Sequence, residues 1–319
     1  MPITTENLIE LIVKKSSHIK GKAVILCEGN IQGLQRRRNP QAYRQLDQLP
    51  DANFYTRCLP KRMRKSKKPV FIPCGSRNEV IKTFHGLHDH LSKEEHKQNS
   101  YLDIDKLFAL IDLDIQNVFL SDSQGFKFHD GVSCSESLHE KTFDLPSFKL
   151  NPSQKQNVFA TGFIHKEAYF MSQLLHEFYS NYHMDLVINE QDFSLFDTLV
   201  KIVEVSKEDN DLIANFELVK RRLNHMQFSG ESVGELVQYL KLNYLKSIPS
   251  LNAESDLILL VCKAKTVWEG IRQKDDGLPH IRFKEQLVLQ IGDFYSQLES
   301  NKCHLVEIFE YIYESAYKS

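Results

Sequence analysis

Residues 23–30 read AVILCEGN and residues 109–116 read ALIDLDIQ. Each is a short apolar run that stops on acid: Glu28 after the first, Asp112 and Asp114 after the second. Consecutive apolar residues with no polar alternation need cover on both faces, which is how a buried parallel strand is written. Two more runs of this kind lie in the same half of the chain, PVFIP at 69–73 and NVFAT at 157–161. The second run breaks at Cys74-Gly75-Ser76, where Ser76 can cap a helix over about 77–91. Further helices are predicted over 6–15, over 39–49 with Asn39 as cap and Pro40 in the first turn, and over HKEAYFMSQLLHEFYSNY from residue 165. Strand–helix alternation argues for a Rossmann-like α/β unit, a parallel sheet with helices on its faces. Residues 115–156 interrupt it and read as an insertion with short β-like pieces.

From about residue 193 the text changes. FSLFDTLVKIVEV, SVGELVQYLKLNYLKS and HLVEIFEYIYESAY repeat apolar residues at spacings of three and four. The expected organisation is therefore a sheet domain over 1–185, carrying the insertion, and a mostly helical C-terminal domain over 186–319 for dimerisation or partner binding.

The near-neutral net charge of −2 conceals an asymmetry. Residues 1–150 hold 23 Lys and Arg against 18 Asp and Glu, while the remainder hold 17 against 24. Segment 31–68 is the extreme, with 11 basic and 2 acidic residues, enough to attract a polyanion locally. No apolar run approaches the roughly 20 residues of a membrane helix, and the first residues do not read as a secretory leader. A soluble cytoplasmic protein is expected. The six scattered cysteines form no Cys-x-x-Cys pair and read as buried free thiols.

Ligands of an open parallel sheet gather at the carboxyl ends of its strands. Glu28, Asp112 and Asp114 all fall there, and in an extended Asp-x-Asp both side chains project to one side. Three converging carboxylates repel one another unless a cation lies between them. Magnesium prefers oxygen ligands, typically one or two carboxylates plus water or phosphate. Glu28, Asp112 and Asp114 are thus the expected Mg2+ ligands, for phosphoryl-transfer chemistry.

The ordered set of strand–Glu-Gly, strand–Gly–helix and strand–Asp-x-Asp resembles the TOPRIM domain of topoisomerases, primases and OLD-type nucleases, over roughly residues 22–170. LCEGN, KPVFIPCGSRNEVI, ALIDLDIQ and NVFATGFIHKEAYF look in particular like the TOPRIM effector subunits (AriB) of PARIS-type anti-phage systems. The resemblance implies an Mg2+-dependent endoribonuclease that is restrained by an ABC-type ATPase subunit (AriA-like). Once released, such effectors dimerise and cleave host tRNA. In related effectors a Thr-x5-Glu-x-Tyr/Phe stretch follows the fourth strand. It corresponds here to Thr161, Glu167 and Tyr169, and makes Glu167 a fourth candidate catalytic acid beside Glu28, Asp112 and Asp114. Many TOPRIM sequences carry an acid four residues after the glutamate, where this chain has Gln32.

Two basic clusters lie between the first and second strands. One is Arg36, Arg37 and Arg38, the other Lys61, Arg62, Arg64, Lys65, Lys67 and Lys68. They could flank the acidic edge and hold a nucleic-acid backbone, or form a docking surface for an acidic partner. His85, His88 and His90 crowd a helix end that favours positive charge, and His165 stands beside Glu167 as a possible proton carrier. The leading expectation is an endonuclease. A non-catalytic TOPRIM-fold interaction subunit and a DNA nuclease of the OLD-like type stay open, since the 2′-hydroxyl contact that separates RNA from DNA leaves no signature in sequence.

Overall fold

The four apolar runs become four parallel strands, β1 (Val24–Cys27), β2 (Val70–Pro73), β3 (Leu107–Ile111) and β4 (Val158–Ala160), in the spatial order β2-β1-β3-β4. In this computed structural model the described residues are 4–13, 18–31, 49–65, 67–93, 100–116, 119–144, 149–150, 156–182, 185–223, 227–243, 258–259, 261–274 and 279–318. Val24 pairs with Val70 on one side and Leu107 on the other, and Leu110 pairs with Phe159. All four strands are buried along their whole length, as continuous apolar runs require.

The order fixes where the helices go. From β1 the chain moves outward to β2, then crosses back over β1 to β3. Both crossovers must be right-handed, so their helices fall on opposite faces of the sheet. α1 (Thr5–Val13) and α4 (Arg77–Leu91) pack together on one face, with α4 against β1 and β3. α2 (Pro50–Cys58) lies on the other face against β2, followed by the single turn α3 (Lys61–Lys65). Ser76 caps α4 in a capping box with Glu79, as its sequence indicated. The helix expected over 39–49 lies outside the described residues.

The insertion contributes a loop and a helix. Leu120 N–H donates to Ser133 O, Gly125 N–H donates to Asp89 Oδ1, and Phe126 packs edge-on to Phe84 with ring centroids 4.9 Å apart. His85 and His88 are buried in this aromatic cluster, and burial lowers both imidazoles, His88 to about 4. They are therefore neutral near pH 7, which corrects the expectation of positive charge for these two residues. α5 (Ser135–Thr142) then packs beside β4.

HKEAYFMSQLLHEFYSNY is not one helix. It forms 3-10 turns at Lys166–Met171 and Gln173–Leu175 before the short α6 (His176–Ser180). Ala168, Tyr169, Phe170 and Met171 are all buried, so this first part of the segment has no solvent side along which an amphipathic helix could run.

The C-terminal half is helical in the main: α7 (Leu195–Ser206), α8 (Asn210–Ala214), α9 (Phe216–Arg222), α10 (Val233–Asn243), α11 (Lys265–Gly270), α12 (His280–Tyr295) and α13 (His304–Tyr317). It also holds a small antiparallel sheet that sequence periodicity did not announce. There β5 (Leu186–Ile188) pairs with β6 (Gln191–Asp192) and with β7 (Ile271–Gln273). Asn189 and Glu190 turn the hairpin with positive φ at both positions, the conformation of a type I′ turn.

α12 packs on α2, and α13 brings Phe309 against Phe71 of β2 at 5.3 Å between centroids. Tyr317 Oη accepts the Ala23 N–H at the start of β1, and Tyr295 Oη donates to Tyr169 O. One hydrophobic cluster contains β1, β3, α12 and α13, so the core is continuous across the boundary expected near residue 185.

Candidate acidic site at the switch point of the sheet

The connection that leaves β1 runs outward to β2, and the one that leaves β3 runs the opposite way, to β4. The crevice between the carboxyl ends of β1 and β3 is the topological switch point, where open α/β sheets take their ligands. Glu28 and Asp112 are the residues that follow these two strands. The Asp112 N–H donates to Glu28 Oε1 at 2.7 Å. Asp112 Oδ1 is buried and accepts no hydrogen bond.

Burial raises Glu28 to about 7, with Asp114 adding to the rise against the Asp112 N–H and Arg77. Asp112 is raised well above the usual carboxylate range, first by burial, then by Glu28 and Glu167. Neither carboxylate is comfortable as an anion beside the other.

Glu167 reaches the site because the backbone after β3 and β4 stays paired. Thr161 N–H donates to Ile111 O, Leu113 N–H to Phe163 O at 3.3 Å, and Asp114 N–H to Ile164 O at 3.2 Å. The 3-10 turn that follows delivers His165, Lys166 and Glu167. His165 Nδ1 lies 3.2 Å from Glu167 Oε2, and His165 Nε2 accepts the Ala264 N–H at 3.2 Å. An accepting nitrogen carries no proton, so the ring proton sits on Nδ1 and faces Glu167. Burial works to raise Glu167, but His165 and Lys166 together hold it at about 2. His165 thus orients an acid, and its second nitrogen is taken by the backbone.

Sequence reading missed three partners. Asp51, in the first turn of α2, accepts Asn30 N–H at 3.0 Å on Oδ2 and the Lys166 ammonium on Oδ1. Lys166 is half-buried, and Asp51 and Glu167 raise it above the ordinary lysine value against that burial, so it is an ammonium at neutral pH. Arg77, the first residue of α4, lies with Nη1 3.5 Å from Asp114 Oδ2. The available signal was positional, since a residue in the first turn of a helix that follows a parallel strand lies at the carboxyl edge. Gly29 has a defined use, because a Cβ there would stand 2.5 Å from Asp51 Oδ2. Gly75 bonds Gly29 across the same edge and holds φ +102°, a region glycine favours.

Asp114 departs from the expected extended Asp-x-Asp. Its φ is +55°, so the alternation that would align it with Asp112 is broken. Oδ1 accepts Ile115 N–H at 2.6 Å, and Oδ2 faces Arg77. Glu28 and Asp112 come together with Glu167 nearby, whereas Asp114 is turned toward a cation.

The second basic cluster is not at this edge. A crossover helix runs antiparallel to its strands, so α2 carries the chain back to the amino edge before β2 begins. Lys67 Nζ lies 5.1 Å from the ring centroid of Tyr317, whose hydroxyl binds the start of β1. Across a four-residue strand that is ~13 Å from Glu28. Arg62 pairs with Glu310 at 2.8 Å and Arg64 with Asp293 at 2.6 Å, while Arg64 also donates to Leu59 O. The acidic partner considered for this segment is thus, for Arg62 and Arg64, the chain's own C-terminal helices. Of the cluster Lys61, Arg62, Arg64, Lys65, Lys67 and Lys68, which was expected to flank the acids, Arg62, Arg64 and Lys67 thus have their contacts elsewhere. Arg36, Arg37 and Arg38 lie outside the described residues.

No protein-family model, curated protein or solved structure matches the chain. Among the described residues, no three His, Cys, Asp or Glu side chains form a ready-made metal-binding group. The donor set nonetheless fits a magnesium-type ion. Such an ion needs only one or two carboxylates and completes its shell with water and phosphate. Here the Asp112 carboxylate feels Glu28 and Glu167, and one of its oxygens is buried without a partner. Among the described residues, Arg77 pairs with Asp114 and Lys166 with Asp51 as the permanent cations beside these acids.

Proposed function

We propose that this chain is an Mg2+-dependent nucleic-acid phosphodiesterase on a TOPRIM-like sheet, acting as an endoribonuclease with tRNA as substrate. On the same reading an ABC-type ATPase subunit restrains it, it is active as a homodimer, and it belongs to an anti-phage defence system. The observation that carries the catalytic part is the Glu28–Asp112 pair at the switch point, with its orphaned Asp112 Oδ1. The sequence resemblance carries the tRNA, defence and partner parts.

Glu28 and Asp112 would hold the metal. When bound, the ion supplies charge stabilisation to the phosphoryl oxygens and to an attacking water. Glu167, ionised at neutral pH and beside His165, would orient that water and accept its proton. Lys166 and Arg77 bring positive charge to the same edge and favour an anionic substrate over a neutral one.

The decisive experiment incubates purified protein with Mg2+ and either total tRNA or plasmid DNA, beside a Glu28→Gln control. Cleavage of tRNA by the wild type alone supports the proposal. Cleavage of plasmid alone moves the substrate to DNA. Binding without cleavage of either favours a non-catalytic interaction subunit.

A further inference from the structure

A cavity of about 310 Å³ opens beside the acidic edge and shares Asp51, Lys166 and Glu167 with it. Its far walls belong to the C-terminal half, which no resemblance in sequence reaches. Trp268 comes from α11, and Lys284, Glu285, Val288 and Leu289 come from α12. The near wall is the first turn of α2, with Asn53 and Phe54. We propose that this cavity receives the base of an unpaired nucleotide next to the scissile phosphate, so that the substrate is single-stranded or looped nucleic acid with one base turned out. The inference rests on the phosphodiesterase reading of the acidic edge.

Size argues first. The volume lies at the small end of ligand pockets. It suits one nucleoside and excludes a base pair, so a duplex could enter only by extruding a base. The lining argues next. Phe54, Phe170, Trp268, Val288 and Leu289 give aromatic and aliphatic walls, with Phe54 edge-on to Phe170 at 4.9 Å and Phe170 against Trp268 at 4.6 Å. A few polar groups, Asn53, Lys284 and Glu285, interrupt them. Apolar walls with a small number of placed donors and acceptors are what a nucleobase edge requires.

Lys284 fits this use better than phosphate binding. Its Nζ lies 3.8 Å from the Trp268 ring centroid and donates to Trp268 O. Burial, with Arg272 nearby, brings it down to about 7. A lysine that is only partly charged around neutrality is a weaker phosphate anchor than an ordinary one, and its neutral amine can both give and take a hydrogen bond. Permanent positive charge is instead placed at the shared wall, on Lys166, where the backbone phosphate would lie.

Trp268 is the only tryptophan of the chain, so its emission reports this cavity directly. The experiment titrates the four nucleoside 5′-monophosphates and ribose 5-phosphate into the wild type, Leu289→Phe and Asn53→Ala, without metal, and assays tRNA cleavage in parallel. A saturable emission change with at least one nucleotide and none with ribose 5-phosphate is expected. Leu289→Phe, whose ring fills the cavity, should weaken the nucleotide roughly tenfold or more at an unchanged melting temperature. Asn53→Ala gives an independent reading, should Leu289→Phe fold poorly. An equal response to ribose 5-phosphate, or no response to any nucleotide, overturns the base pocket even where tRNA is cleaved. A nucleotide response in a wild type that cleaves nothing keeps the pocket and removes the phosphodiesterase reading.

Discussion

The main-chain N–H of Asp112 donates to Oε1 of Glu28, and this single hydrogen bond ties the carboxyl end of β3 to that of β1. It uses one oxygen of Glu28 and holds the Asp112 side chain where Oδ1 finds no donor. Replacing Asp112 by asparagine should therefore separate chemistry from folding. The amide removes an ionisable carboxylate from a buried acidic cluster, so like-charge repulsion with Glu28 and Glu167 falls. Cleavage should drop by roughly 100-fold or more, the loss typical of a removed electrostatic stabiliser. The melting temperature without metal should stay level or rise. A variant that unfolds, or that cleaves normally, would show that Asp112 has another role.

Glu28→Gln makes a prediction in pH. The folded protein raises Glu28 from 4.5 to about 7, so the unfolded chain loses this proton first as pH rises. Stability linked to Glu28 is therefore fully present below about 4.5 and is lost between 4.5 and 7. At pH 8 the penalty is on the order of 3 kcal/mol, shared with its acidic neighbours. Glutamine keeps the oxygen that Asp112 N–H needs and carries no charge. Without metal, the variant should melt above the wild type at pH 8, and the gap should shrink toward pH 5. The difference between the two proteins is the quantity to follow, because His85 and His88, both lowered by burial, lose stability as pH falls below about 6.5. A gap that grows on acidification would contradict the assignment.

Lys166 is half-buried, pairs with the buried Asp51 and stands next to Glu167. Lys166→Met leaves the buried Asp51 without its counter-ion and should destabilise the fold by ~1.5–3 kcal/mol, the range for losing a hydrogen bond to a charged group. The Lys166→Met/Asp51→Asn double variant should recover much of that loss in thermal or denaturant melts. Additive losses would mean that the two residues act independently.

The basic segment gives a contrast between neighbours. Arg64 is half-buried and bound to Asp293, Leu59 O and Arg57 O, so Arg64→Glu should lower stability by ~1–3 kcal/mol. Lys61 and Lys65 are exposed, and Lys61→Glu/Lys65→Glu should leave the melt nearly unchanged. Because this turn sits at the amino edge, the double reversal should also leave the salt dependence of nucleic-acid binding by the acidic edge unchanged. A flattened salt slope would place a phosphate contact on this turn after all.

The strands and the edge that gathers the acids were legible because both follow from local pattern. A continuous apolar run needs a two-sided core, and a strand end followed by an acid has one place to go. Glu167 was legible only through resemblance, since what brings it to the site is the pairing of 113–114 with 163–164 beyond the strands. Asp114 was misread because φ at one residue decides which way a side chain points, and Asp-Leu-Asp looks the same in either conformation. Placing the basic cluster at the amino edge needed no coordinates, only the rule that a crossover helix reverses the chain. Trp268 and Lys284 were out of reach. Their role depends on which helices meet across more than 200 residues of sequence, a tertiary fact that periodicity does not encode.

Gly29 offers the sharpest test that these separate elements form one site. It follows Glu28 and donates its N–H to Gly75 O, so its position is fixed from both sides. Gly29→Ala would put a Cβ 2.5 Å from Asp51 Oδ2 and 2.9 Å from Asp51 Cβ. The second contact is to the root of the side chain, so rotating the carboxylate away does not relieve it and the first turn of α2 must move. Overpacking of this kind costs ~1–3 kcal/mol. The larger effect should be on activity, because displacing Asp51 frees the Lys166 ammonium, whose charge helps hold Glu167 ionised. Cleavage should fall further than the melting temperature alone explains, while the protein keeps its far-UV circular dichroism. Asp51→Ala reaches the same end by another route, so the two substitutions combined should lose little more activity than either alone. Fully multiplicative losses would show that Gly29 and Asp51 serve cleavage through different contacts.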